Sequence, residues 1–272
     1  MRAALLVPAF TVVCACGSGP ASHAETPATR PGAPPPGRCF LLDEMGVGEV
    51  RRSPADACAT RISPASTFKI PHALAALDSG VLTGPSVKFA YDGPPDVPET
   101  WKGEQTLATA TRYSVVWYFQ RIATLLGADR ERQYLSKLDY GNRDSSSGLT
   151  TFWLGESLRI SPSEQERFLV RLYDDALPVT EDAMQTVRTI LVQPRGVVVN
   201  ALGEHPFVAP WPEGTVVSAK TGRADDVTWL VGHVERRHRA WVFVSCVIGP
   251  SERDPMAAIN LAGASLREAG VL

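Results

Sequence analysis

The sequence predicts a mixed α/β protein of the α+β kind: one antiparallel sheet flanked by helices, with an all-helical insertion. Three observations carry this. Short strand patterns stand at both ends of residues 38–272. Apolar residues at helical spacing dominate the middle. The last third then changes from a period of about 3.6 to a period of about 2. A sheet built from both ends of the chain, with the helices inserted between its strands, follows from that order. The chain has 272 residues, 44% hydrophobic and 21% charged, which is enough for one sizeable core.

The first residues are organised differently. Met1 to Val13 carries one positive charge and then a short apolar region. It is too short to span a bilayer and reads as a secretory signal over residues 1–16. It ends in Val13-Cys14-Ala15-Cys16, which resembles a bacterial lipobox. Either Cys16 is lipidated and tethers the protein to a membrane, or cleavage falls after Ala15 or later. Residues 17–37 are rich in Pro, Gly, Ala and Ser and show no hydrophobic period. They are expected to be a disordered tether. The expected location is therefore outside the cytoplasm, in the periplasm, free or lipid-anchored.

Arg38 to Asp43 and Gly48 to Arg52 read as two short strands around a glycine-containing turn. A helix should begin close to Ser66, with Ser66 as its N-cap. Pro71 supports that start, because proline is tolerated only in a first turn. Gly80 is the expected stop. Residues 84–103 hold seven Gly or Pro residues and read as a loop, with Phe89, Tyr91 and Trp101 packing it onto the domain. Helices are expected over Leu107 to Thr111, Trp117 to Leu126 and Arg130 to Leu138. Ser161-Pro162-Ser163-Glu164 opens another through Tyr173, with a cap, a proline at the first helical position and an acid in the first turn. Thr180 caps a further helix to Leu191. Gly214 to Lys220, Val227 to Glu235 and Arg239 to Ile248 form a meander, closed by a helix over Pro255 to Glu268.

Composition excludes several classes. Net charge is −2, with no basic stripe for nucleic acid. No apolar run of ~18 residues follows the N-terminus, so no further membrane span is expected. The five histidines, His23, His72, His205, His233 and His238, have no ligand spacing, so no metal is expected and they read as surface or core residues. Of the five cysteines, Cys39 and Cys58 are the favoured disulfide pair; Cys39 with Cys246 is the rival.

The chemistry gathers at a few positions. Ser66 and Lys69 are three residues apart, on one face of a helix, so the amine can reach the hydroxyl. Backbone N–H groups at the helix entrance suit an oxyanion. Taken alone, Ser-x-x-Lys is also what a capped helix with a surface lysine looks like. Lys220-Thr221-Gly222, read at a strand end with Ser218 on the same face, offers a charge, a hydroxyl and close backbone approach to a carboxylate-bearing substrate. Ser114 supplies a second hydroxyl between helices. Phe68, Val116, Trp153 and Leu154 could wall off an amine and lower its pKa by desolvation.

Ser66-x-x-Lys69, Ser114-x-Val116, Tyr140-Gly141-Asn142, Phe152-Trp153-Leu154 and Lys220-Thr221-Gly222 occur in that order, each at an element boundary. With them, from about Cys39 to the end, the chain resembles the class D (oxacillinase-type) serine β-lactamases. Ser63 to Gly80, Ser114 to Ile122 and Phe152 to Phe168 carry the likeness. The resemblance implies the fold shared by serine β-lactamases and penicillin-binding transpeptidases, and hydrolysis of β-lactam antibiotics through an acyl-enzyme on Ser66. It implies that Lys69 is carboxylated by carbon dioxide and acts as general base. Ser114 would relay protons to the leaving nitrogen, Lys220 would support that relay and the substrate carboxylate, Thr221 would bind that carboxylate, and Gly222 would line the substrate site. The N–H groups of Ser66 and Arg223 would form the oxyanion hole. Val116 would wall the site and Trp153 would hold the carbamate. Arg253 is the candidate for an arginine gripping the carboxylate. No cofactor is implied beyond carbon dioxide or bicarbonate, and the protein would be a monomer or homodimer. The alternative is a penicillin-binding or penicillin-sensing protein that acylates without turnover.

Overall fold

Phe40 and Leu42 pack into one apolar layer and Cys39 and Leu41 into another, and the rest of the sheet repeats that alternation. The computed structural model describes residues 37–53, 55–250 and 254–272. The expected signal segment 1–16, with Cys16, the tether up to residue 36, and Arg253 lie outside the described residues. Five antiparallel strands form the main sheet: β1 (Gly37–Glu44), β2 (Gly48–Ser53), β7 (Val216–Ala224), β8 (Val227–Arg236) and β9 (Arg239–Ile248). Their spatial order is β2-β1-β9-β8-β7, so strands from the two ends of the domain meet at β1 and β9. The β8–β9 hairpin turns at Arg237 and His238, whose φ angles of +51° and +65° are what a two-residue hairpin of matching twist requires.

Between those strands lie the expected helices. They are α2 (Lys69–Asp78), α3 (Leu107–Arg112), α4 (Val116–Lys137), α5 (Pro162–Tyr173) and α6 (Glu181–Leu191), preceded by a short α1 (Ala55–Ala59) that the sequence pattern had not indicated. Helix α7 (Ala257–Glu268) follows β9 and lies on the opposite face, where Ser245 Oγ of β9 donates to Ala258 O at 2.8 Å. Helix α2 is central: its residues from Lys69 to Ala76 are all buried, and it packs on α4 and α6. Helix α4 contains the two helices expected from the sequence, divided at Gly127, whose φ of +75° lies in the left-handed region open to glycine. The capping box at Ser161 and Glu164 forms as expected. His72 is core, with Nε2 2.6 Å from Glu131 Oε1.

Some expectations are corrected. Ser66 is not an N-cap: a 3-10 turn, Ala65–Phe68, precedes α2, and neither start has a side-chain cap. Thr180 precedes α6 without a side-chain cap bond. The loop over 84–103 contains β3 (Lys88–Ala90), which pairs with β4 (Glu104–Thr106), and a 3-10 turn, Glu99–Trp101. Lys220-Thr221-Gly222 is not a strand end, because β7 continues to Ala224. Strands β5 (Val197–Asn200) and β6 (Gly203–Pro206) form a hairpin that the sequence pattern had not indicated. Val198 of that hairpin, with Phe207 and Trp211 after it, fills the layer against α7.

Cys39 and Cys58 form the disulfide, across a sequence separation of 19. Cys246 is the cross-strand neighbour of Cys39 and stays a buried free thiol. Closing a loop of that length restricts the unfolded chain. Cys58→Ser should therefore cost about 3 kcal/mol in urea unfolding. An unchanged urea midpoint would show that the crosslink adds nothing to stability.

Candidate active site

The turn that carries Ser66 is fixed from three directions. Ser63 Oγ donates to Trp153 O at 3.2 Å and accepts from Ala65 N at 3.2 Å. Trp229 Nε1, from β8, donates to Ser63 O at 2.9 Å. Ile62 and Ile160 exchange backbone hydrogen bonds at 3.0 and 2.8 Å. Ala65, directly before Ser66, has φ +47°, a left-handed conformation that a non-glycine residue holds only when its surroundings impose it.

Strand β7 passes close to this turn. A Cβ at Gly222 would stand 3.0 Å from Pro64 O and from Thr67 Cγ2. Glycine therefore sets how near the strand can approach the turn that carries Ser66. The residues Tyr140-Gly141-Asn142 shape the segment behind it. Asn142 Nδ2 donates to Ser157 O at 2.8 Å, and Asn142 Oδ1 accepts from Arg159 N at 2.8 Å. That pins the segment on which Phe152, Trp153 and Leu154 lie.

Lys69 is fully buried, and its Nζ donates to Ser66 Oγ at 2.8 Å. Burial drives its pKa well below the ordinary lysine value, and the charge of Lys220 pushes the same way. Phe119 contributes a ring 5.4 Å from Nζ. The sequence reading had not named it. It sits on α4 at helical spacing from Val115 and Ile122, the signal that marks a core face. Trp153 is fully buried, stacked on Phe68 with ring centroids 5.5 Å apart. Among the described residues its indole Nε1 has no hydrogen-bond partner. A buried donor left without an acceptor is costly. Trp153 is not part of the cleft wall.

Ser114 lies between α3 and α4 with φ +57°. Lys220 Nζ donates to Ser114 Oγ at 2.9 Å and to Thr221 O at 2.9 Å. Lys220 is 3% exposed, and burial lowers its pKa to about 7. Ser66, Ser114, Val116, Thr221, Gly222 and Arg223 line one cleft of about 220 Å³. Trp101, Leu154, Leu202 and Ile259 line it too. Trp101 and Leu202 went unnoticed as site residues because each arrives on a segment whose position depends on tertiary packing. The arrangement brings together a hydroxyl, an amine beside it whose pKa burial lowers, a second hydroxyl bonded to a second amine, and an apolar wall.

The penicillin binding protein transpeptidase domain family matches residues 43–265. Beta-lactamase OXA-1 of Escherichia coli is 37% identical over 225 residues, covering 78% of this chain and 76% of that protein. Probable beta-lactamase YbxI of Bacillus subtilis is 35% identical over 190 residues, covering 69% of this chain. The chain spans 65% of YbxI's length, just under two thirds. Regulatory protein BlaR1 of Bacillus licheniformis is 30% identical over 217 residues, which are 78% of this chain and 33% of that protein. Among solved structures, class D beta-lactamase BAT-2 matches with a TM-score of 0.76 at 28% identity, covering 87% of this chain and 93% of that one. The chain therefore belongs to the penicillin binding protein transpeptidase domain family and, within it, to the class D serine β-lactamases.

Proposed function

We propose that the protein hydrolyses β-lactam antibiotics through an acyl-enzyme on Ser66. The observation that carries this is the buried Lys69 amine, 2.8 Å from the Ser66 hydroxyl. A base on Lys69, carried as a carbamate on that amine, takes the hydroxyl proton as the oxygen attacks the lactam carbonyl. The N–H groups of Ser66 and Arg223 hold the oxyanion. The lactam C–N bond then breaks. Ser114 passes a proton to the leaving nitrogen and is replenished by Lys220. Lys220 and Thr221 meet the substrate carboxylate.

Hydrolysis also needs water activated against the acyl-enzyme. An amine reacts with carbon dioxide only when neutral, and burial favours that form of Lys69. The unpartnered Trp153 Nε1 is the donor that a carbamate oxygen on Lys69 would need. As a carbamate, Lys69 supplies a general base for acylation and deacylation alike. Export to the periplasm, with or without a lipid on Cys16, accompanies this reading.

The second reading, acylation without turnover, is favoured by the match to BlaR1. Intact mass over time with excess benzylpenicillin separates the two. An adduct that disappears as penicilloate accumulates supports hydrolysis. An adduct stable for hours supports a sensor or penicillin-binding protein.

Lys69→Ala should lower benzylpenicillin turnover about 10³-fold or more. It should also abolish a carbamate signal in ¹³C NMR with labelled bicarbonate; unchanged turnover would remove Lys69 as base. Trp153→Ala should weaken that signal and make turnover depend on added bicarbonate, and neither change would leave Trp153 as core alone. Lys220 is cationic below about 7 and neutral above it. The kcat/KM profile should therefore fall as pH rises through about 7, because it reports the free enzyme. Lys220→Arg should lose that limb, since a guanidinium stays charged. Folding stability has the opposite sign. An unfolded lysine titrates near 10.5, so between about 7 and 10.5 the unfolded chain holds the extra proton and stability rises with pH.

A further inference from the structure

Helix α2 carries a second ionisable side chain that the chemistry at Ser66 does not use. His72 follows Lys69 by three residues, so the two lie on one face of α2, one turn apart. Both His72 and Glu131 are buried, and His72 Nε2 stands 2.6 Å from Oε1 of Glu131, which lies on α4 beyond Gly127. The contact compensates a carboxylate that would otherwise stand alone in the core. Among the described residues His72 Nδ1 has no hydrogen-bond partner, which leaves Glu131 as the polar group against the ring.

The imidazole packs against Phe68, Trp153 and Phe119, with ring centroids 5.1, 5.4 and 5.8 Å away. The Phe119 ring also lies 5.4 Å from Lys69 Nζ. Trp153 is the residue whose indole Nε1 lacks an acceptor. Two other rings touch that indole: Phe68 is stacked on it and Phe152 meets it edge-on. Both are hydrocarbon and hold it by contact alone. Of these three neighbours, His72 is the one tied by charge to another helix. A buried ion pair is a poor source of stability, since apolar residues of similar volume often serve as well or better. A role in holding the indole accounts for its presence here.

We propose that His72 and Glu131 are a positioning pair that seats Trp153 and so sets how tightly Lys69 holds carbon dioxide. The inference rests on the hydrolase reading and its carbamate, and deepens it. Carboxylation joins the neutral Nζ to the carbon of carbon dioxide, moves one C=O electron pair onto oxygen and gives one N–H proton to water. The resulting anion needs the indole N–H. An indole free to shift offers that donor only part of the time, and the carbamate then reverts to amine and carbon dioxide. Neither member of the pair lines the cleft, so both act through Trp153.

The test titrates ¹³C-labelled bicarbonate into bicarbonate-depleted protein and follows the carbamate signal by NMR, with no substrate present. His72→Phe combined with Glu131→Leu removes the charges and keeps apolar volume, so the melting temperature should hold. Half-saturation should nevertheless need about tenfold more bicarbonate, the scale on which losing the partner of a ligating group weakens a site. Saturating bicarbonate should then restore benzylpenicillin turnover. Glu131→Gln keeps an oxygen for Nε2 and should stay within about threefold of wild type. Should the double variant not fold, His72→Gln reads the same titration: it keeps a donor for Glu131, loses the ring, and should show the same rise. An unchanged half-saturation in the double variant or in His72→Gln would overturn the positioning pair and leave hydrolysis standing. So would a loss of carbamate that no bicarbonate restores. Wild-type protein that hydrolyses benzylpenicillin without a carbamate signal would overturn the pair and the carbamate together. Wild-type protein that does neither would overturn the hydrolase reading as well.

Discussion

Lys69 is fully buried, with Ser66 Oγ as its hydrogen-bond partner and the Phe119 ring 5.4 Å from its Nζ. Moving an amine out of water is tolerable only if it sheds its charge or finds a counter-charge. Here an aromatic ring lies beside the amine, and the charge that acts on it is that of another buried lysine, Lys220. Burial in the fold therefore drives the amine towards its neutral form. The apolar packing that stabilises α2 also lowers the pKa of its first residue, so the core and the state of that amine cannot be varied separately.

A second constraint is proximity between segments far apart in sequence. Ser66 and Lys69 come from one turn and helix, Ser114 from the junction of α3 and α4, and Lys220 from a strand near the end of the chain. Gly222 lets β7 lie against the Ser66 turn, and Trp229 and Ser63 lock the other side. The left-handed residues Ala65 and Ser114 sit where these pieces meet. Such backbone conformations persist only when neighbours over-determine them.

What was legible in the sequence divides along the same line. The strands and most helices were visible because their apolar periods are strong, and Pro71 marked the start of the buried helix. Ser66 with Lys69, and Lys220 with Thr221, could be read because their spacing is local. Phe119, Trp101 and Leu202 could not, because their roles depend on which distant segment they meet. The β5–β6 hairpin was hidden by its glycine- and proline-rich surroundings, although Val197 to Val199 carried a strand signal. Ser66 looked like a helix cap because local propensity favours that. In the structure its oxygen faces the lysine instead, and the helix begins without a side-chain cap.

The β7–β8 hairpin has a larger consequence than its size suggests. Ala224 pairs with Val227 across only Asp225 and Asp226, and from there every pairing back to Val216 with Glu235 is fixed. Side chains on a strand alternate, so sliding β7 by a single residue would exchange the faces of Lys220 and Thr221. The amine would leave Ser114 and a hydroxyl would take its place. A two-residue connection outside the cleft thus acts as a phase setting for the site: it specifies which functional group is presented to the second serine, and no intermediate setting is available.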